Sequence, residues 1–140
     1  MMEPQLRIQQ ETSQRAMAPG LWTVRWSIQN LGDCPLTILA TRLPHGKFRG
    51  SELRLETPLN VETNGTTHLA LEVRCSETPG AVVENAFLIL RVVCLGNEWL
   101  VLARFRVFIN ADGTLSSITE RITAQLVGFS SDWSKINAND

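Results

Sequence analysis

The sequence predicts a mainly β fold, an antiparallel β-sandwich of about seven strands followed by a short C-terminal helix. Two long apolar runs, residues 86–95 and 99–109, are separated only by Gly96, Asn97 and Glu98, which is the pattern of a long β-hairpin with a tight turn. Shorter alternating segments precede this hairpin, with Gly, Pro or Asn turns between them and no helical pattern. This spacing favours stacked antiparallel sheets over βαβ units.

The chain divides into three predicted parts. Residues 1–20 are polar and read as a flexible arm, although Leu6 and Ile8 could add a short edge strand. Residues 21–129 form the predicted sandwich domain with its helix, because regular alternation of apolar and polar side chains begins there. Residues 130–140 are predicted to be a polar tail. At 140 residues in total, one domain with one core is expected.

Four segments before the hairpin have the alternation of half-buried strands. The clearest is 22–28, which sends one set of side chains to a core: Trp22, Val24, Trp26 and Ile28. Residues 36–43 give the next strand, and 53–61 the one after it. Pro58 interrupts that third segment, and because proline cannot donate to a ladder, an edge position is favoured for it. The fourth strand, 69–75, alternates in the same way.

The hairpin is apolar on most of both faces, so it is predicted to lie centrally in a sheet with its second face also covered. After it, residues 118–127 are predicted to form a short helix. Ser117 and Glu120 have capping-box spacing, and a helical stripe follows, made of Ile118, Ile122, Leu126 and Phe129. The alternative is a last strand, in which Glu120 would interrupt an otherwise apolar face.

The second face of the hairpin is the main candidate for a partner-binding surface. It carries the residues Phe87, Ile89, Arg91, Leu102, Arg104, Arg106 and Phe108. The predicted helix could cover this face, or a second copy of the chain could do so and form a homodimer with an apolar centre and an arginine rim. A second candidate contact surface is the basic stretch that includes Arg42, Lys47 and Arg49; a solvated loop is the alternative there.

Composition and motifs argue against several classes of function. With 13 basic and 14 acidic residues, no overall field favours nucleic acid or a membrane surface. The three cysteines lack metal-site or disulfide-framework spacing, and neither a secretory pattern nor an apolar run of about 18 residues is present, so a cytoplasmic protein with free thiols is expected. His45 and His68 have no ligand partners at the usual spacing, and no nucleotide-binding or nucleophile motif occurs. We therefore expect no metal, no cofactor and no enzymatic activity.

One segment resembles a known family. Residues 23–48 resemble the opening of immunoglobulin-type domains of the Hydin-like and major-sperm-protein-like kind, in which an Asn-x-Gly turn is followed by a Pro-Leu-x-Ile strand. The matching positions are Asn30, Gly32, Pro35, Leu36, Ile38 and Phe48. The resemblance extends over roughly residues 22–109 and implies an immunoglobulin-like β-sandwich with no shared catalytic residues. The possible helix and the long, charged segment 47–61 depart from that pattern.

Together these observations predict a non-enzymatic protein-interaction or assembly module. The alternative is a carrier of small apolar ligands, or a hydrolase, with a pocket between the sandwich and the helix. Trp22 or Trp26 would then line the cavity.

Overall fold

Residues 3–127, which the computed structural model describes, form a single antiparallel sheet that curves until it is nearly closed like a barrel. Its strands are β1 (Leu6–Arg15), β2 (Leu21–Asn30), β3 (Leu36–His45), β4 (Phe48–Val61), β5 (Thr66–Arg74), β6 (Val82–Cys94), β7 (Asn97–Ile109) and β8 (Leu115–Leu126). Their order across the sheet is β1-β2-β5-β4-β3-β6-β7-β8. The predicted all-β antiparallel class is confirmed. One continuous sheet of eight strands stands where a sandwich would have two stacked sheets.

The core lies inside this curved sheet and is built by simple alternation. On β2 the inward side chains are those that the sequence pattern selected: Trp22, Val24, Trp26 and Ile28. Trp26 stacks on Phe105 of β7 with ring centroids 6.1 Å apart, and it meets the edge of Phe48 of β4 at 6.2 Å. These three rings join opposite sides of the sheet, so the interior is packed with side chains.

The hairpin of β6 and β7 is central, as predicted, with β3 on one side and β8 on the other. Its turn comes one residue earlier than expected, because Leu95 and Gly96 both have positive φ angles of 53° and 75° and so close a two-residue turn between Cys94 and Asn97. The side chains of Leu88, Leu90 and Val92 point inward and are fully buried. The predicted separation of the two hairpin faces is therefore confirmed.

The predicted helix at 118–127 is wrong, because residues 115–126 form strand β8 along the whole length of β7. The physical reason lies at Glu120. The neighbouring β7 residues Arg104 and Phe105 pair with Arg121 and Thr119, so Glu120 has no register partner on β7. Glu120 is the extra residue of a β-bulge. Ile122 and the alternate positions after it can therefore face the interior while Glu120 stays outside. Phe129 lies beyond the described residues.

The N-terminal segment also differs from expectation. Residues 6–15, assigned to a flexible arm by their polarity, form β1 and pair along β2 from Leu6 opposite Asn30 to Arg15 opposite Trp22. Ile8 is fully buried and Leu6 is 6% exposed, so two apolar side chains are enough to anchor the strand in the core. This corrects the predicted arm, whereas the polar tail at 130–140 lies outside the described part of the chain.

The curved sheet has two seams, and the first, between β1 and β8, is bridged by side chains. No residues of these two strands are paired in register within the described range, but Ser13 Oγ both donates to the Leu115 carbonyl oxygen and accepts from the Leu115 N–H at 2.9 Å. Gln10 adds a bond from Nε2 to the same carbonyl at 2.8 Å, and Ser117 Oγ donates to Gln10 Oε1 at 2.7 Å. Polar side chains thus replace the missing backbone ladder at this seam.

Candidate functional site

The structure brings the predicted hairpin residues together on the outer surface of the sheet. Phe87 lies opposite Arg104, and Ile89 lies opposite Leu102, so apolar and basic side chains are interleaved as expected. Neither a helix nor another strand of the described chain lies over them. Ile89 is nevertheless only 1% exposed. Its cross-strand partners are Arg42 on β3 and Leu102 on β7.

The arginines of this outer face are already paired with acidic side chains. Arg91 donates to Glu98 at 2.7 Å, and this bond raises the pKa of the Arg91 guanidinium. Arg106 lies 3.0 Å from Glu84. Arg104 lies at a longer 4.0 Å from the bulge residue Glu120. Arg91 and Arg106 are therefore closely paired within the chain, which weakens the case for an arginine rim available to a partner, whereas the buried Arg104 Nε has no hydrogen-bond partner among the described residues.

The second predicted surface does not form one patch. Arg42 lies on β3 opposite Ile89, so it belongs to the outer face of the hairpin. Lys47 sits in the β3–β4 turn, 3.8 Å from Glu77. Arg49 lies at the start of β4, directly opposite Arg74 of β5. The three basic residues thus belong to three different surroundings.

The second seam of the sheet, between β4 and β5, is open. Among the described residues, Arg49 and Arg74 are the one pair in register between these strands. At the other end the strands are joined by the short turn of residues 62–65. Between the pair and the turn, most of β4 runs without a backbone partner on β5. The facing edge of β5 is left equally unpaired, although its other edge is paired with β2 over nine residues.

The cause of this opening is an irregular course of β4 along β3. Ile38 pairs with Leu59, and Ala40 pairs with Arg54. A step of two residues along β3 therefore corresponds to a step of five residues along β4. The extra residues of β4 form a wide bulge that contains Pro58, and a bulge bends its strand away from the regular ladder. The predicted edge position for this segment is wrong, because β4 lies between β5 and β3 in the sheet. Pro58 is accommodated there because most of the β5-facing side of β4 is unpaired.

Two adjoining clefts occupy the open seam. The larger, about 420 Å³, is lined by Leu21, Arg49, Gly50, Ser51, Glu72 and Arg74. The smaller, about 270 Å³, is lined by Thr41, Leu43, Ser51, Glu52, Leu53, Ala70, Leu71 and Glu72. The clefts share Ser51 and Glu72 and are therefore adjacent, and we call them together the β4–β5 cleft. The larger cleft, which we call its upper part, is polar, and the smaller cleft, its lower part, is mostly apolar.

The lower part of the β4–β5 cleft opens towards the core. Leu43 and Leu71 are inward-facing residues, 2% and 7% exposed, and Thr41, which is 1% exposed, contributes a hydroxyl group beside them. Leu53 lies opposite Thr41 and is 45% exposed, an unusual value for a large apolar side chain beside the core. The missing contact between β4 and β5 therefore uncovers apolar surface that a closed sheet would bury.

The upper part of the cleft carries an unbalanced positive charge. Arg49 and Arg74 are directly opposite each other on the outer face, where cross-strand Cβ atoms are about 5 Å apart. Within the described part of the chain, neither guanidinium has an ion-pair or hydrogen-bond partner. Glu72 lines the same cleft one alternate position along β5, so the positive charge is concentrated at the closed upper end. Like charges in this arrangement repel, and an incoming anion would relieve the repulsion.

Two residues have structural roles that sequence reasoning missed: Gly50 at the upper end of the cleft, and Asn30 at the end of β2. At the upper end, the backbone of Gly50 approaches that of β5 so closely that a Cβ atom there would lie 2.6 Å from the Glu72 carbonyl oxygen. Asn30, at the end of β2, is 1% exposed, and its Nδ2 donates to the carbonyl oxygens of Cys34, at 2.8 Å, and Val61, at 3.1 Å.

The turn predicted at the Asn-x-Gly motif is present, since Asn30 Oδ1 accepts from the Gly32 N–H at 2.9 Å. The motif therefore indicated the turn correctly. The buried amide that ties three chain segments together depends on tertiary contacts, and those are not visible in the motif.

The described residues show no grouping of three or more His, Cys, Asp or Glu side chains that could hold a metal ion. His68 lies on the outer face and its Nδ1 is 2.6 Å from Glu11 Oε1, which also accepts from Arg25 at 3.2 Å. No helix of membrane-spanning length and hydropathy occurs between residues 3 and 127. Comparison with models of protein families found no match, and comparison with curated proteins found none either.

Proposed function

We propose that this protein is a non-enzymatic interaction module that binds a protein partner in the β4–β5 cleft. The observation that carries the proposal is the unpaired inner edge of β5, which meets β4 in register only through Arg74. Strand edges of this kind are sites where another chain adds by main-chain hydrogen bonding. We also propose a cytoplasmic location, in keeping with three free cysteines, two of which are buried.

Support comes from the contrast between the two seams. The seam between β1 and β8 is filled by the chain's own hydrogen bonds, including those of Ser13 and Gln10. At the β4–β5 seam, Ser51 and Leu53 face Ala70 and Glu72 across the smaller cleft. No backbone bridge joins these residues in the described structure. A partner strand would supply the missing donors and acceptors and cover Leu53 in the same step.

A homodimer through the outer face of the hairpin is the less supported form of the interaction hypothesis. Apolar side chains do remain exposed near that face, with Val82 46% and Ile118 59% exposed. The arginines around them, however, are already engaged by Glu84, Glu98 and Glu120. A charged partner would therefore have to displace existing ion pairs, and the exchange of one ion pair for another adds little to the binding affinity. The relation to Hydin-like and major-sperm-protein-like domains stays a prediction.

A carrier of a small apolar ligand is the second candidate, and one observation favours it: the inward-facing side chains of Thr41, Leu43 and Leu71 line the smaller cleft. The pocket first expected, between a sandwich and a helix, has no counterpart since residues 115–126 are a strand. Trp26 is fully buried between aromatic rings, and neither it nor Trp22 lines the β4–β5 cleft.

Site-specific photocrosslinking tests the proposed function. Leu53 is replaced with p-benzoylphenylalanine in the full chain, which is then irradiated in a lysate of the source organism and analysed by mass spectrometry. The matched control carries the same group at Leu95, which is 64% exposed in the hairpin turn, away from the cleft. A protein adduct formed from position 53 but not from position 95 is expected. Identical adducts from both positions, or none from position 53, would refute the assignment of the cleft.

A further inference from the structure

The β4–β5 cleft combines a free strand edge, an apolar floor and two unpaired guanidinium groups. From this combination we infer that its occupant is an extended peptide segment with apolar side chains at alternate positions and an acidic residue at the end nearest Arg49 and Arg74. This inference rests on the proposed function and specifies the chemistry of the partner.

The backbone of β5 sets the conformation of the occupant. The strand is regular from Thr66 to Arg74, since its pairing with β2 runs without a register shift from Gln29 opposite Thr66 to Leu21 opposite Arg74. Below Glu72, where Gly50 of β4 approaches closely, its other edge therefore presents evenly spaced N–H and C=O groups, and a chain must be extended to match that spacing. A helix or a compact loop could not satisfy them in succession.

The two faces of β5 set the alternation. Leu69 and Leu71 point inward and are 6% and 7% exposed, whereas the alternate residues Ala70 and Glu72 point outward. A strand added beside β5 would place every second side chain next to the two leucines and into the smaller cleft, where Leu53 is also available for contact. Those positions of the peptide are therefore apolar.

The charges of the cleft set the position of the acidic residue. Arg49 and Arg74 lie together at the closed upper end, and the planar guanidinium group matches a carboxylate with two parallel hydrogen bonds. Glu72 and Glu52 line the cleft below them and would repel an acidic side chain placed there. An acidic residue is thus favoured at one end of the segment and disfavoured at its centre, which fixes the register of the bound peptide.

The test uses fluorescein-labelled peptides of about eight residues, the length of an ordinary strand, with blocked ends and alternating Val and Ser. Four versions carry Glu or Lys at the first or the last position, and binding to the full chain is measured by fluorescence anisotropy. One Glu peptide is expected to bind at least about tenfold more tightly than its Lys counterpart, since a charge-assisted pair is lost in the latter. Methylating its backbone nitrogens at alternate positions should weaken binding by a similar factor, because it removes main-chain donors.

Variants of the protein connect this preference with the cleft. Arg49→Ala and Arg74→Ala are expected to abolish the preference for Glu over Lys, while the matched control Arg121→Ala, an exposed arginine on β8, leaves it unchanged. Arg49 and Arg74 are both exposed, so circular dichroism should show folded variants. Equal binding of the Glu and Lys peptides, or loss of preference in the Arg121 variant as well, would overturn the inference.

The other possible occupants give distinct results. Binding of hexanoate, sensitive to Arg74→Ala, with no binding of any peptide, would show a small anionic amphiphile instead. A dimer in light scattering that dissociates in the Arg49 and Arg74 variants would show a second copy. If a protein crosslinks from position 53 while every peptide fails, this inference falls and the proposed function stands; if the crosslink fails as well, both fall.

Discussion

Replacing Gly50 with Ala should separate the strands at the upper end of the β4–β5 cleft. The added Cβ atom would lie 2.6 Å from the carbonyl oxygen of Glu72, where ordinary contacts begin at 3.4 Å, so β4 and β5 must move apart by about 0.8 Å. The obstacle is backbone, which cannot rotate away as the end of a side chain can. Overpacking of this kind costs about 1–3 kcal/mol, and weakening the backbone pairing of Arg49 with Arg74 adds about 1 kcal/mol, so we expect a loss of roughly 2–4 kcal/mol.

The assay is urea unfolding followed by tryptophan fluorescence, with thermal unfolding as a second measure. For a chain of this size the expected loss corresponds to a decrease in Tm of roughly 6–12 °C. Gly46→Ala is the matched control, because a Cβ atom at Gly46 in the neighbouring turn would meet no heavy atom within 4 Å. If Gly50→Ala is as stable as Gly46→Ala, then β4 and β5 do not approach each other as described, and the closed upper end of the cleft is not real.

Two further substitutions test the buried Asn30 amide and the outer face. Asn30→Ala should lower the free energy of unfolding by about 2–4 kcal/mol, because it leaves three buried or half-buried backbone groups without their partner. The control Asn60→Ala, at an exposed position, should cost less than about 1 kcal/mol. Equal losses in urea unfolding would refute this role of Asn30. Glu11→Gln tests linkage: the hydrogen bond with His68, and after it the bond with Arg25, lowers the pKa of Glu11. The ionised carboxylate therefore stabilises the fold above the ordinary glutamate pKa, and this contribution disappears as the pH falls through the lowered value. The difference in Tm between wild type and Glu11→Gln should accordingly be present at neutral pH and shrink in acid, and a difference that widens in acid would contradict the assignment.

The parts of the fold that the sequence predicts correctly are those written in local alternation. The inward set on β2 and the two faces of the central hairpin follow from the period of two, which is independent of how strands are arranged in space. The same rule failed at β8, because Glu120 sits where strict alternation would place it in the core. A single bulge changes which residues face inward, and a bulge is set by the partner strand and cannot be recognised in the sequence of β8 alone.

The candidate site was harder to predict, since it exists because most of β4 does not pair with β5. Arg49 was selected for its charge, but its partner Arg74 is 25 positions away and lies in a strand that alternates normally. Pro58 was the one local sign that the region departs from a regular ladder. The cleft arises from the mismatch between the paths of β4 along β3 and of β5 along β2, and such a mismatch depends on the registers of four strands together.

The chemistry of the residues at each seam explains why the chain's own side chains bridge only one of them. Where β1 meets β8, the facing side chains include Gln10, Ser13 and Ser117, which are short enough to approach the opposite strand and can both donate and accept. Where β4 meets β5, the side chain of Leu53 can neither donate nor accept, and the ionised carboxylate of Glu72 can only accept. Closing the second seam from within would require a register shift of β4, which would send Leu53 and its alternate neighbours to the other face of the sheet. A separate extended chain can close it without that shift, because it brings its own backbone donors and acceptors and leaves the core in place.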